Sequence, residues 1–138
     1  MEEIILSIKP RFSSEIYSGK KILELRKRIG CKFKEKSKIY IYSSSPVRKI
    51  SGYAYIRKIQ TLPVQKIKLE HLKEACIEED AFDKYYQGYE SGVLIWLHRV
   101  VKYEVGISLA VLKERGFTAP QSFCYVSENI QLLLEEAL

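Results

Sequence analysis

A chain of 138 residues, 46% hydrophobic and 29% charged, has the make-up of a globular domain, which excludes a disordered chain and leaves little room for a second core. The longest apolar run, Val93 to Leu97, is strand-sized and falls far short of the roughly 20 residues that a membrane helix needs. The net charge of +6 hides an asymmetry: residues 1–58 carry 15 Lys and Arg against 5 Asp and Glu, a balance of +10, and residues 59–138 carry 8 against 12, a balance of −4. Charge separated in this way makes a directional field, and a basic face attracts phosphate.

Glu3 to Ile8 alternates loosely and reads as a first strand, and Lys9-Pro10 fits a strand-to-helix junction because proline is tolerated at a first helical position. Phe12, Ile16 and Tyr17 stand at helical spacing, with Gly19 as the stop. Lys21 to Arg28 reverts to period two, with Leu23 and Leu25 on one face and Glu24 and Arg26 on the other. A lysine-rich turn from Gly30 leads into a strand over 38–42, which Ser43-Ser44-Ser45-Pro46 breaks; Val47 to Ile59 resumes as strand with a bend at Gly52. From about 68 to 87 the pattern is helical, with Leu69, Leu72, Ala75 and Cys76 on one stripe, and Gly88 ends it. Gly92 to Tyr103, carrying Trp96, is the most apolar strand and is expected to run through the core. A short helix follows, capped by Ser108 and stopped by Gly116, then a loop that finishes as strand over 120–126. Ser127 caps a terminal helix, so that 1–138 reads as one domain with 127–138 its C-terminal helix. Strands outnumber helices without regular alternation, which points to an α+β fold around a curved or closed sheet.

Cys31, Cys76 and Cys124 are odd in number and far apart, and neither His71 nor His98 stands at zinc-ligand spacing from them. Reduced thiols, no metal and no cofactor are expected. Glu2-Glu3 occupy the place of a basic signal-peptide n-region, so the expectation is a cytoplasmic protein without a leader.

The segment Gly19-Lys20-Lys21-Ile22-Leu23-Glu24-Leu25-Arg26 concentrates the chemistry. A helix that stops at glycine and feeds a strand places Lys20 and Lys21 at the mouth of a sheet, and Glu24 and Arg26 project together. Arginine offers two-pronged recognition of phosphate, and lysine a mobile point charge. Tyr40, Tyr42, Tyr53 and Tyr55 alternate on neighbouring strands, as platforms for bases or as barrel residues with their hydroxyls at the rim.

This segment matches the pattern G-x-K-x-x-E-x-R and resembles the signature of the activating-signal-cointegrator homology (ASCH) family. Leu6-Ser7-Ile8-Lys9-Pro10 before it, and Ile39-Tyr40-Ile41-Tyr42, Ser44-Ser45-Pro46 and Pro120-Gln121-Ser122-Phe123 after it, are similar to landmarks of small stand-alone members. The resemblance implies a PUA-like curved sheet or β-barrel with flanking helices, and a cleft beside the signature that takes RNA, a nucleotide or a modified nucleoside. It implies a ligand-binding set of Lys9, Lys20, Lys21, Glu24, Arg26, Ser44 and Ser45, with Gln121 and Ser122 either closing the cleft or forming a structural turn.

One branch of the superfamily hydrolyses acylated cytidine with a lysine and a threonine three residues later. This chain keeps Lys21 but has Glu24 at the threonine position, which removes the nucleophile of that type. If the chain is an enzyme, Lys21 or Glu24 activates water, and Glu74 or another downstream carboxylate shuttles the proton. The expectations are therefore an RNA- or nucleotide-binding module, with regulation as one role for it, first, a small amidohydrolase or ribonuclease second, and a protein-interaction module third.

Overall fold

Ile4, Leu6 and Ile8 fall on one face of the first strand and Ile5 on the other, and all four are buried, so the strand is covered on both sides. This double cover organises the rest of the chain. In the computed structural model, which describes residues 2–136, the strands are β1 (Ile4–Ile8), β2 (Leu23–Arg26), β3 (Lys38–Ser43), β4 (Lys49–Pro63), β5 (Ser91–Ser108) and β6 (Phe123–Tyr125). The helices are α1 (Pro10–Tyr17), α2 (Val64–Glu70), α3 (Leu72–Ala75), α4 (Glu79–Tyr85), α5 (Leu109–Glu114) and α6 (Glu128–Glu136). The strands form one sheet in the order β2-β5-β4-β3-β1-β6, antiparallel except where β1 runs parallel to β3. This mixed sheet curls into a half-barrel flanked by helices, the α+β, PUA-like architecture expected above.

The inner face gathers Leu6 and Ile8 of β1, Ile41 of β3, Ile56 of β4 and Ile95 of β5 into one apolar cluster, with Ile16 of α1 and Phe33 packed in. The outer face divides in two. Ile5, Tyr40, Tyr42 and Ile107 pack beneath α5 and α6, while Leu23, Leu25, Leu94 and Trp96 pack beneath α2 to α4. Removal of this apolar surface from water is the main force holding helices to sheet.

The long strands β4 and β5 follow the curl through register shifts at Ile50/Gly52, Tyr53/Tyr55 and Ile56/Lys58, since a bulge bends and twists its strand. Gly52 marks the expected bend, where Tyr17 of α1 approaches the backbone. The Tyr17 hydroxyl meets Ser51 Oγ at 2.6 Å, Ser51 meets Ser43 at 2.7 Å and Ser43 meets Ser13 at 2.8 Å, a row of hydroxyls that pins α1 to β3 and β4.

Local expectations differ from the structure over 68–87 and in the length of β5. The helical stretch 68–87 is three short helices, interrupted at His71 and at Cys76, whose φ of +54° is left-handed. The break turns Leu69 outward (87% exposed), and Ile67 fills the core position instead. The β5 strand continues past Tyr103 to Ser108, because β4 pairs with it as far as Lys49↔Ser108. The terminal helix is described to Glu136, and residues 137–138 of the expected span lie outside the described residues.

Two stability predictions follow from this packing. A Cβ at Gly52 would collide with the Val101 carbonyl oxygen and stand 2.8 Å from the Tyr17 hydroxyl, so Gly52→Ala is expected to cost about 1–3 kcal/mol in chemical denaturation. Burial also pushes Tyr17 and Tyr103 up to about 12 from the usual 10, and raises Tyr40 and Tyr86 as well. Their folded-state values lie above the unfolded ones, so their contribution is intact below pH 10 and is lost as pH rises towards 12. Tyrosinate absorbance and loss of near-ultraviolet circular dichroism should therefore rise together in that window; full tyrosinate absorbance in a still-folded protein would contradict it.

Candidate functional site

The Gly19 turn sets the parity of everything after it. Gly19 has a φ of +85°, and the backbone N–H groups of Lys20 and Lys21 both donate to the Glu15 carbonyl, which closes α1 and redirects the chain. The Ile22 N–H then donates to the Glu74 carbonyl at 3.1 Å, and the Ile22 carbonyl accepts from Leu97 at 2.9 Å, docking the chain between α3 and β5. Pairing of Glu24 with Ile95 and of Arg26 with Val93 fixes which face each side chain takes. Ile95 and Val93 belong to the inner cluster, so Glu24 and Arg26 project into the curl of the sheet while Leu23 and Leu25 pack outside.

The charged side chains form a network inside the half-barrel. Glu24 Oε2 accepts from Arg26 Nη2 at 2.7 Å and from Nε at 3.0 Å, and Glu24 Oε1 stands 3.4 Å from Lys21 Nζ. Lys21 also donates to the Ala75 carbonyl, and its ammonium lies 4.9 Å from the centre of the Phe12 ring. Arg26 Nη2 donates to the Ser7 carbonyl at 2.8 Å, and Nη1 to the Ser122 carbonyl and Oγ at 3.4 and 3.2 Å. Lys21 is 4% and Glu24 7% exposed. These are buried charges paired with opposite charges inside the chain, the condition under which such charges are tolerated.

Both signature cations have partners within the chain. A guanidinium has five N–H donors, and those of Arg26 are spent on Glu24, Ser7 and Ser122. Arg26 ties β2, at one edge of the sheet, to β1 and to the segment before β6, at the other edge. It works as a clamp across the open side of the half-barrel.

Beside this clamp lies a cleft of about 780 Å³. Its floor is Lys21, Glu24 and Arg26, with Phe12 and Tyr85 as aromatic walls. Its rim carries Lys9 and Arg11 at the start of α1, Ser44, Ser45 and Arg48 from the turn between β3 and β4, and Gln121 opposite. Of the expected residues, the structure thus brings Lys9, Lys21, Glu24, Arg26, Ser44, Ser45 and Gln121 together, with Ser122 behind Arg26. Lys20 is exposed on the Gly19 turn and is not part of the lining. The Glu74 carboxylate meets His71 Nδ1 at 2.7 Å and is absent from the lining as well.

Arg11 and Arg48 line the cleft without having been singled out for it in the sequence, and of the four alternating tyrosines Tyr42 reaches the lining. Arg11 follows Lys9-Pro10 directly, and Arg48 stands two residues after Pro46; their nearness to those landmarks was the available signal. Arg48 has a left-handed φ of +52°, uncommon for a residue with a side chain. Its N–H donates to Ser44 and its carbonyl accepts from Leu109, which hold the turn in place. The other tyrosines lie elsewhere: Tyr40 is buried in the outer core, and Tyr53 packs against it edge-on with the Lys38 ammonium 4.1 Å from its ring centre. Tyr42 is buried against Phe117, and burial raises its pKa while nearby Arg48 opposes the shift.

Among the described residues, no group of three or more His, Cys, Asp or Glu is placed to hold a metal ion, and no helix is long and apolar enough to cross a membrane.

The curled mixed sheet with flanking helices is shared with proteins of known structure. The chain is 31% identical over 132 residues to an ASCH domain-containing ribonuclease from Zymomonas mobilis, covering 93% of this chain and 86% of that protein. The crystal structure of the ASCH protein from Zymomonas mobilis superposes with a TM-score of 0.89 at 29% identity, covering 97% of this chain and 94% of the other. A single-residue variant of it superposes at 0.90 with 28% identity, covering 99% and 98%. No protein-family model matches the chain. The chain belongs to the ASCH-domain family.

Removing the carboxylate from the clamp leaves two buried cations facing each other. Glu24→Gln is therefore expected to destabilise the fold by about 3–5 kcal/mol, while Lys20→Ala on the exposed turn changes stability by less than about 0.5 kcal/mol. Equilibrium denaturation of both variants checks this; equal midpoints would show that the network contributes nothing to the fold.

Proposed function

We propose that this protein is an RNA-binding module whose cleft takes an unpaired nucleotide, with the phosphate held at the rim by Lys9 and Arg48. The observation that carries this reading is the division of the cations. Lys21 and Arg26 are committed to partners within the chain, whereas Lys9 and Arg48 pair with no carboxylate among the described residues. Unpaired arginine and lysine at the mouth of a cavity suit a phosphate. The start of α1 adds the positive end of the helix dipole beside Lys9.

The volume supports a small occupant. A cavity of about 780 Å³ falls within the roughly 300–1,000 Å³ of ligand pockets, which suits one or two nucleotides and not a duplex. Unpaired bases are also what most sequence-reading RNA-binding folds recognise. Phe12 and Tyr85 offer apolar walls for a base, and Glu24, though held by two cations, keeps acceptor capacity towards a base amino group.

A second reading, RNA cleavage, is favoured by one observation: the Zymomonas mobilis relative is named a ribonuclease. In this chain the cleft groups that can stabilise charge on a phosphate are the rim cations, and Tyr42, Ser44 and Ser45 carry hydroxyls beside them. Amide hydrolysis finds less support, because Lys21 donates to Ala75 and Glu24 and because Glu74 faces His71.

Fluorescence anisotropy with a short unpaired RNA across a salt series tests the binding reading. Affinity is expected to fall as salt rises, and Lys9→Ala or Arg48→Ala each to lower the slope of log K against log salt by about 0.7–1, with Lys20→Ala leaving it unchanged. A flat salt response, or Arg48→Ala indistinguishable from the parent, would overturn it. Gel analysis of the same RNA after incubation, with Arg48→Ala as control, decides between binding alone and cleavage.

A further inference from the structure

We infer that the RNA surface continues out of the cleft onto a platform of Lys27, Arg28, Tyr85 and Tyr89, which takes the nucleotide adjoining the one in the cavity. The inference rests on the RNA reading of the cleft. It starts from one shared residue: Tyr85, at the end of α4, is part of the cavity wall and also the first ring of a cluster outside it.

The Lys27 ammonium stands 4.8 Å from the centre of the Tyr85 ring and 5.0 Å from that of Tyr89, a cation shared by two aromatic faces. Neither Lys27 nor Arg28 has a carboxylate within ion-pair distance among the described residues. The contrast with Lys68 is informative. Lys68 lies against the same α4 and is clamped by Glu79 at 3.3 Å and Asp83 at 2.9 Å. Lys27 is held by rings, which position a cation but leave its charge uncancelled.

The platform is built before any ligand arrives. Tyr85 packs edge-on against Tyr86 with ring centres 4.8 Å apart, and burial, its largest perturbation, keeps its hydroxyl protonated. Tyr86 donates to the Arg26 carbonyl at 3.0 Å, which stitches α4 to the end of β2, where Lys27 and Arg28 begin. Gly88, with φ of +83°, turns the chain, and the Tyr89 N–H donates to the Tyr86 carbonyl at 2.9 Å. Tyr89 is thereby presented as an exposed ring, its phenol drawn below the usual value by Arg28 beside it. Little ordering remains to be done when a base stacks on it.

Exposed rings alternating with uncancelled cations are the chemistry of single-stranded nucleic acid, where bases stack and phosphates meet positive charge. Apart from Arg11 and Lys21 on Phe12 within the cleft, the other cation–ring pairs stand at Lys38 on Tyr40 and Tyr53, at Arg57 and Lys58 on Trp96 and at Lys32 on Tyr125, all outside it. None shares a residue with the cleft lining, so none extends a strand already seated there.

Anisotropy or calorimetry with a mononucleotide and an unpaired tetranucleotide, on the parent, Tyr89→Ala, Tyr89→Phe and Arg48→Ala, tests the platform. Tyr89→Ala is expected to weaken the tetranucleotide about tenfold and to leave the mononucleotide within about twofold, with Tyr89→Phe close to the parent. Arg48→Ala should weaken both ligands. Tetranucleotide binding unaffected by Tyr89→Ala but lost in Arg48→Ala overturns the platform and leaves the cleft reading standing. A Phe variant as weak as the Ala variant overturns the stacking role. A parent that binds neither ligand overturns the cleft reading and the platform with it.

Discussion

The hydrogen-bonded bridge from Glu24 through Arg26 to Ser7 and Ser122 is the constraint on which the site depends. A half-barrel has two free edges, and its inner apolar face must be shielded from water where they do not meet. Here β2 and the β1–β6 edge are joined by one guanidinium, held by the Glu24 carboxylate on the β2 side and by the Ser7 and Ser122 carbonyls on the other. Phe33 follows a few residues later and fills the gap below, edge-on to Phe123 at 4.9 Å. Polar clamp and aromatic plug together close the curl.

Placing a charged bridge inside a protein has a cost that only complete pairing offsets. The chain meets it with local geometry. The Gly19 turn brings Lys21 to the far oxygen of Glu24, and the docked α3 offers the Ala75 carbonyl to the same ammonium. The cleft floor is therefore rigid and charged yet internally satisfied. The proposed reading leaves ligand-facing charge to residues at the start of α1 and on the turn between β3 and β4, in keeping with the habit of scaffolds to carry function on loops.

A surface of this kind separates two tasks that a signature motif merges on paper. The buried residues hold the shape of the cleft, and the rim and platform cations meet solvent. Substitutions at Glu24 and at Arg48 should thus report different quantities, stability for the first and salt-dependent affinity for the second.

Much of this was legible in the sequence. Period-two spacing put Glu24 and Arg26 on the face opposite Leu23 and Leu25, glycines marked the turns at 19, 52 and 88, and Ser108 and Ser127 marked helix starts, because these signals are local. The order of the landmarks identified the fold. Local pattern could not say that the charged face of β2 points inward, since that follows from pairing with Ile95 and Val93 some 70 residues later. Nor could it show that Arg26 exhausts its donors on Ser7 and Ser122, that Glu74 turns to His71, or that Arg48 and Tyr85 border the cavity. Those facts depend on which distant segments meet, and only the closed sheet with its docked helices decides that.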